Sequence, residues 1–221
     1  MDMKTATLED AARLGDPELI ERTRAGDMRA LEALMRRHNR TLYRTARAIL
    51  RDDAEAEDAV QEAYLRAYRA LDSFRGESKF STWLVRIAAN EALMRRRRNV
   101  RAAEVVPLDG TIEIEGTIES GDEQGDHMLR RLLEKRIDAL PDGYRSVFVL
   151  RALEELTVEE TSAALGIPEP TVRTRYFRAR GLLRESLARD VDRTLEDAFA
   201  FAGERCDRIV ARVMQRIASG T

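Results

Sequence analysis

Cysteine is almost missing from this chain. Cys206 is the only thiol in 221 residues, so no internal disulfide can form. Histidine is nearly as scarce. His38 and His127 lie far apart without cysteine neighbours, and no metal-ligand cluster results. Glycine (12) and proline (5) are sparse, so few positions interrupt a helix. No stretch reaches the ~18 apolar residues of a membrane span. Residues 1–7 lack the apolar run of a signal peptide, which makes a cytoplasmic location the expectation. There is no glycine-rich phosphate loop, and no histidine stands beside a nucleophile or an acid pair. Nothing therefore points to an enzyme or to a bound cofactor. An excess of one charge is also lacking: 38 Lys and Arg face 40 Asp and Glu, for a net charge of -2. A globally basic nucleic-acid binder is excluded, although local clusters are not.

What is present is helical. Charged residues make up 35% and hydrophobic ones 43%, with Leu, Ala, Glu and Arg abundant. Composition and length predict an all-α protein of one or two domains. Asp16-Pro17-Glu18 reads as a helix start, with Asp16 as cap. Asp27 can cap a second helix, whose stripe of Leu31, Leu34, Met35, Leu42, Ala46, Ile49 and Leu50 recurs at helical spacing. A third helix spans about 53–71, with Val60, Ala63, Tyr64, Ala67, Tyr68 and Leu71 on its apolar side. Residues 72–80 read as a loop, and Ser81 or Thr82 can cap a fourth helix.

Between about 99 and 127 helical periodicity fails and acids dominate. This predicts an extended acidic linker. Its Thr111-Ile112-Glu113-Ile114-Glu115 alternation suits a weak strand, but a strand without a partner is marginal. A second helical unit follows. Thr157-Val158-Glu159-Glu160 fits a capping box. The helix that it opens closes at Gly166, and another begins near Pro170. This is a helix-turn-helix layout, with Ala163, Leu165, Ile167, Val172 and Leu182 or Leu183 as its core. Its second helix presents Arg173, Thr174, Arg175, Arg178, Arg180 and Arg184, the residue types that meet base edges and phosphates in a major groove. A helical hairpin with a solvated basic face would show the same pattern.

The other chemically suggestive stretch is Phe74-Arg75-Gly76-Glu77-Ser78-Lys79-Phe80-Ser81-Thr82-Trp83, followed by a helix ending in Arg95-Arg96-Arg97-Arg98. Aromatic faces stack on unpaired bases, and arginines neutralise phosphates beside them. The same residues also suit a packed core and a solvated helix end, and this segment alone does not choose between the two.

Glu57-Asp58-Ala59-Val60-Gln61-Glu62-Ala63-Tyr64-Leu65-Arg66-Ala67-Tyr68 resembles the most characteristic stretch of bacterial sigma-70 factors. Residues 74–83 and Ile87-Ala88-Ala89-Asn90 resemble the adjoining promoter-melting part, and residues 140–180 the part that reads the −35 element. The two-domain size is similar to the extracytoplasmic-function (ECF) subfamily. The resemblance implies a region 2-like bundle at 14–98, an acidic linker at 99–127, a region 4-like helix-turn-helix at 128–189 and a C-terminal helical extension at 190–221. It also implies core RNA polymerase and promoter DNA as partners, allows an anti-sigma factor, and leaves no role for membrane insertion, a metal or a cofactor.

By that likeness Asp58, Gln61, Glu62 and Leu65 would dock on the polymerase. Phe74, Arg75, Ser78, Phe80, Trp83, Asn90, Arg95 and Arg96 would serve the −10 element, with Asn90 reading a flipped base and the arginines holding phosphates. Arg173, Thr174, Phe177 and Arg178, with Arg175 and Arg180 on phosphates, would serve the −35 element. A stand-alone helix-turn-helix regulator is the rival reading, although residues 1–98 would have no evident purpose in one. The C-terminal stretch departs from the pattern. Leu195, Phe199, Cys206, Ile209, Val210, Val213 and Ile217 suggest a further amphipathic helix after a break near Gly203. That helix would either pack on the −35 domain or act as a regulatory tail, with Cys206 a buried, inert thiol.

Overall fold

The computed structural model describes residues 13–105, 124–198 and 203–218, and side chains within 13–101, 128–190 and 208–215. The acidic 106–123 stretch with its strand-like alternation lies outside the described residues, as do the side chains of His127 and Cys206. Among the described residues there are nine α-helices and no strand. None of these helices is long and apolar enough to cross a membrane.

Helix α1 (Asp16–Arg24) takes Gly15 as its cap, with no side-chain cap bond. Asp16 is instead in the first turn, and its carboxylate accepts from Arg37 at 2.6 Å and lies 3.0 Å from His38 Nε2. Tertiary partners thus take up the group expected to cap. Asp27 does cap α2 (Met28–Leu50), accepting from the N–H groups of Arg29 and Ala30. Asp52 caps α3 (Asp53–Arg69) through the Glu55 N–H at 2.8 Å. A 3₁₀ turn, Leu71–Ser73, then leads into the loop.

Helix α4 (Phe80–Val105) begins before the expected caps, so Ser81 and Thr82 stand in its first turn. It also runs through Asn99 into the stretch assigned to the linker. The reason is local: Arg and Ala favour helix, and no proline or glycine intervenes before Pro107. These four helices bury Leu19, Leu34, Leu42, Leu84 and Val85 almost completely. Ala56, Ala59, Ala63 and Ala67 on α3 and Ala88, Ala89 and Ala92 on α4 are buried too, and their small side chains let the helices approach closely.

The second helical set comprises α5 (Gln124–Asp138), α6 (Asp142–Phe148), a π turn (Val149–Leu153), α7 (Val158–Leu165) and α8 (Glu169–Ala198). The capping box at Thr157 is complete: Thr157 Oγ1 accepts from the Glu160 N–H, and the Glu160 carboxylate accepts from the Thr157 N–H at 2.7 Å. Gly166 closes α7 with φ +63°, a left-handed conformation that favours glycine. The core differs from the expected set by one residue, since Ala164 is buried and Ala163 exposed; Leu183 is buried and Leu182 is not. Helix α8 continues unbroken past residue 190, because no glycine or proline occurs between Gly181 and Gly203.

The two helical sets do not stand apart. Val147, Leu150, Leu156, Ala164, Leu165 and Val172 share one core with the α1–α4 residues, and α7 packs on α4. Arg145 of α6 is fully buried at this seam. Its guanidinium donates to the carbonyls of Ala48 (2.8 Å), Leu140 (3.0 Å) and Asp138 (3.3 Å), and to Asp142 Oδ1 (2.9 Å). Arg47 also bridges the sets, reaching Asp138 at 3.0 Å. The described residues up to 180 form one compact unit and those from 181 onward a second. In the second, α9 (Gly203–Ala218) starts at the expected glycine and exposes Ile209, Val210, Val213 and Met214.

Candidate nucleic-acid interface

Loop 74–79 hangs between the 3₁₀ turn and α4. Gly76 has φ +74°, so the loop reverses where only glycine adopts the backbone without strain. Three aromatic rings from the loop and the first turn of α4 meet here. Phe74 lies edge-on to Phe80 and tilted against Trp83, each at 5.3 Å between centroids, and Phe80 stacks on Trp83 at 5.6 Å. Phe80 is buried, whereas Phe74 and Trp83 are half-buried and packed against the core. Trp83 therefore belongs mainly to the packing, and Phe74 leaves a face at the surface.

That face opens onto a cavity of about 500 Å³. Its walls come from two sources: the loop side (Phe74, Arg75, Gly76, Ser78, Lys79, Phe80) and α1 (Asp16, Pro17, Ile20, Glu21, Arg24). An aromatic wall, cationic groups and hydroxyls around such a volume suit a single unpaired base with its phosphate. The α1 contribution has no signal in the sequence, because those residues precede the loop by about 50 positions and carry no motif.

Asn90 is exposed on α4 beyond the loop. The arginine run divides into different roles. Arg95 is ion-paired to Glu55, Asp58 and the almost fully buried Glu91, and Arg96 reaches Asp142 at 3.5 Å. Glu91 also receives Arg66 at 3.0 Å. Arg95 and Arg96 are thus engaged within the protein, while Arg97 and Arg98 are exposed, Arg98 reaching Glu91 only at 3.9 Å.

On α3, Asp58, Gln61, Glu62 and Leu65 recur at three- and four-residue spacing and share one face. Leu65 is 51% exposed, an apolar group without a core to fill. Glu62 pairs with Arg66 at the surface, an interaction worth about 0–1 kcal/mol, and the exposed Asp58 carboxylate pairs with the half-buried Arg95.

The first turns of α8 bring Arg173, Thr174, Phe177, Arg178 and Arg180 to the surface, with Arg175 half-buried. Phe177 is 79% exposed. Arg178 and Arg175 line a second cavity, of about 340 Å³, with Tyr144, Pro170, Thr171 and Thr174. Tyr144 escaped the sequence reading; its hydroxyl lies 3.5 Å from Arg178 Nη1, a neighbour set by tertiary packing. Arg180 lies over the Tyr176 ring at 5.8 Å, which holds its guanidinium on the helix surface. Among the described residues no cluster of His, Cys, Asp and Glu could hold a metal.

Two family profiles match: sigma-70 region 2 over residues 34–102 and sigma-70 region 4 over residues 130–183. The ECF RNA polymerase sigma-E factor of Escherichia coli (strain K12) is 36% identical over 178 residues, covering 76% of this chain and 92% of that protein. The chain belongs to the ECF subfamily of sigma-70 factors. The RNA polymerase sigma-H factor of Pseudomonas aeruginosa is 35% identical over 190 residues, covering 78% of this sigma factor and 93% of its own length. Two solved structures are similar in fold. CnrH, in complex with the cytosolic domain of CnrY, has a TM-score of 0.52 at 28% identity, covering 79% of this chain and 98% of that one. The sigma factor RpoE of Bartonella quintana, in complex with the anti-sigma factor NepR, has a TM-score of 0.53 at 26% identity, covering 71% and 96%.

As a sigma factor it is a transcription initiation protein that binds core RNA polymerase and promoter DNA, and the stand-alone regulator is not favoured. The region 2 match begins inside α2 and ends near the end of α4, so it takes in the α3 face, the loop and Asn90. The region 4 match takes in α7 and the exposed arginines of α8.

Proposed function

We propose that this sigma factor divides initiation among three surfaces. The α3 face of Asp58, Gln61, Glu62 and Leu65 docks on core polymerase. Arg173, Thr174, Phe177 and Arg178 of α8 read the −35 element, with Arg175 and Arg180 on phosphates. Loop 74–83 and Asn90 capture an unpaired −10 base, which recovers inside the protein part of the stacking lost from the duplex. The observation that carries the loop's part in this reading is the 500 Å³ cavity walled by Phe74, Arg75 and Ser78, one 3₁₀ turn along the chain from α3; Asn90 is not among its walls and would meet the base from α4. Arg95 and Arg96 would turn to phosphates by exchanging their ion pairs. The protein works in the cytoplasm and catalyses nothing; the polymerase supplies the chemistry. By likeness to CnrH and RpoE, both seen in complexes, an anti-sigma protein restrains it.

Core polymerase supplemented with the full chain, run on a pool of genomic fragments, should start transcripts at defined promoters. Absence of any promoter-specific start would sink the reading. On a promoter found this way, Asn90→Ala should slow opening more than it weakens closed-complex binding. Arg178→Ala should weaken −35 duplex binding by about 1–3 kcal/mol. Equal effects of both substitutions on duplex binding would contradict the division.

A further inference from the structure

The loop has a support that no motif marks. Arg24 ends α1, 50 residues before Phe74. Its Nη2 donates to the Leu71 carbonyl at 2.9 Å and to the Phe74 carbonyl at 2.7 Å. Its Nη1 donates to Glu21 at 2.5 Å, and its Nε lies 3.9 Å from Asp72. One guanidinium therefore ties together the start of the 3₁₀ turn and the first residue of the loop. The Phe74 N–H donates to the same Leu71 carbonyl at 3.1 Å, so Phe74 is held through both its N–H and its carbonyl. Its ring is fixed in turn against Phe80 and Trp83. On its other side Arg24 lines the cavity itself.

We propose that Arg24 is a positioning residue for strand opening: it sets Phe74 and the mouth of the cavity in the geometry that an unpaired base requires before the base arrives. The proposal rests on the reading of that cavity as the −10 base site. The physical argument is preorganisation. A loop already held in its binding shape loses less conformational freedom when the base enters. Arginine suits this role because its planar fork presents several donors at once, whereas a lysine ammonium is a single point on a flexible stem. A role in holding the bundle together is the weaker account. Leu19 and Ile20 anchor α1 in the core, while the Arg24 side chain is 25% exposed and stands outside the apolar core cluster.

The test uses holoenzyme assembled from core polymerase and the full chain, on a promoter identified by its transcripts. A fluorescent adenine analogue in the −10 non-template strand reports unstacking. Arg24→Ala should slow opening about 10-fold while core binding and −35 duplex binding stay within about twofold, a misplacement effect and not a loss of fold. Arg24→Lys should fall between wild type and Arg24→Ala. Arg24→Ala holoenzyme should also bind a −10 oligonucleotide that is already single-stranded more weakly than wild type does. Equal losses in core binding, −35 binding and opening would make Arg24 structural and overturn the proposal. Wild-type opening by Arg24→Lys would remove the need for the fork and overturn it as well. Phe74→Ala separates the two levels. If it slows opening and Arg24→Ala does not, only the role of Arg24 falls. If neither slows opening, the cavity is not the base site and both readings fall.

Discussion

His38 stands behind the cavity wall, 7% exposed, with its ring edge-on to Phe80 and its Nε2 3.0 Å from Asp16. Burial pushes its pKa below the ordinary 6.5, and the Asp16 carboxylate only partly offsets this, with Arg37 acting in the same direction as burial. The contact is thus a hydrogen bond from neutral imidazole and not an ion pair. The sign follows from linkage. Between the lowered folded value and 6.5 the unfolded chain binds more protons than the folded one, so stability is full above 6.5 and is lost as pH falls through the folded value. Asp27, Asp53 and Glu160, all held below their ordinary values, lose stability only at lower pH, within the carboxylate range. Thermal unfolding followed by circular dichroism should therefore show the midpoint falling as the pH drops below about 6.5, before the carboxylates begin to titrate. His38→Gln should flatten that slope; an unchanged slope would remove His38 as its source. None of this was legible in the sequence, where His38 was simply one of two isolated histidines. The aromatic and arginine residues were legible as a group, but not the division of labour within it. Glu91, buried 4 to 7 residues before its arginine partners on α4 and facing Arg66 of α3, recruits Arg95 inward and leaves Arg97 outside.

Among the elements, α8 carries its chemistry at exposed positions that one helix suffices to define. Arg173, Thr174, Phe177, Arg178 and Arg180 emerge at the surface because Val172, Tyr176 and Ala179 occupy the inner side. The salt dependence of −35 duplex binding tests the phosphate role given to Arg180. Arg180→Ala should weaken binding similarly across sequences and lower the slope of log K against log salt by about 1. An unchanged slope would mean that Arg180 serves only its stacking contact with Tyr176. Helix ends were readable where the stop or start is local: the Asp27 cap, the Thr157 capping box and the Gly166 terminator all stand where the residues place them. They were misread where a distant partner competes. Asp16 goes to Arg37 and His38, and the Thr82 hydroxyl donates to Glu160 at 2.9 Å.

For the whole molecule, the seam between the region 2 and region 4 parts is the main addition. It joins a shared apolar core to the Arg145 clamp and to ion pairs such as Arg44 with Glu154 at 3.5 Å. Arg145→Ala would strand three carbonyls at a buried site and should cost roughly 3–5 kcal/mol. Calorimetry should show the two helical sets that share this core unfolding in one transition, which this substitution moves down sharply. Two separate transitions in the parent protein would contradict the shared core. In the proposed function the seam also has to part. Promoter elements centred about 25 base pairs apart lie about 85 Å from each other at 3.4 Å per step. On that proposal the Thr82–Glu160 contact would break when the promoter is bound.

The sequence by itself determined the all-helical class, the acidic break between two helical sets, the helix-turn-helix and the family. Each of these depends on local order: periodicity, caps and motifs read along one strand of chain. Tertiary structure alone decided the rest. It brought α1 to the loop to close the cavity, set Tyr144 beside Arg178, drew Arg95 and Arg96 into ion pairs, and joined the two sets through Arg145. These outcomes depend on which buried donors and apolar faces find partners 20 to 110 residues away, and that competition leaves no periodic trace in the chain.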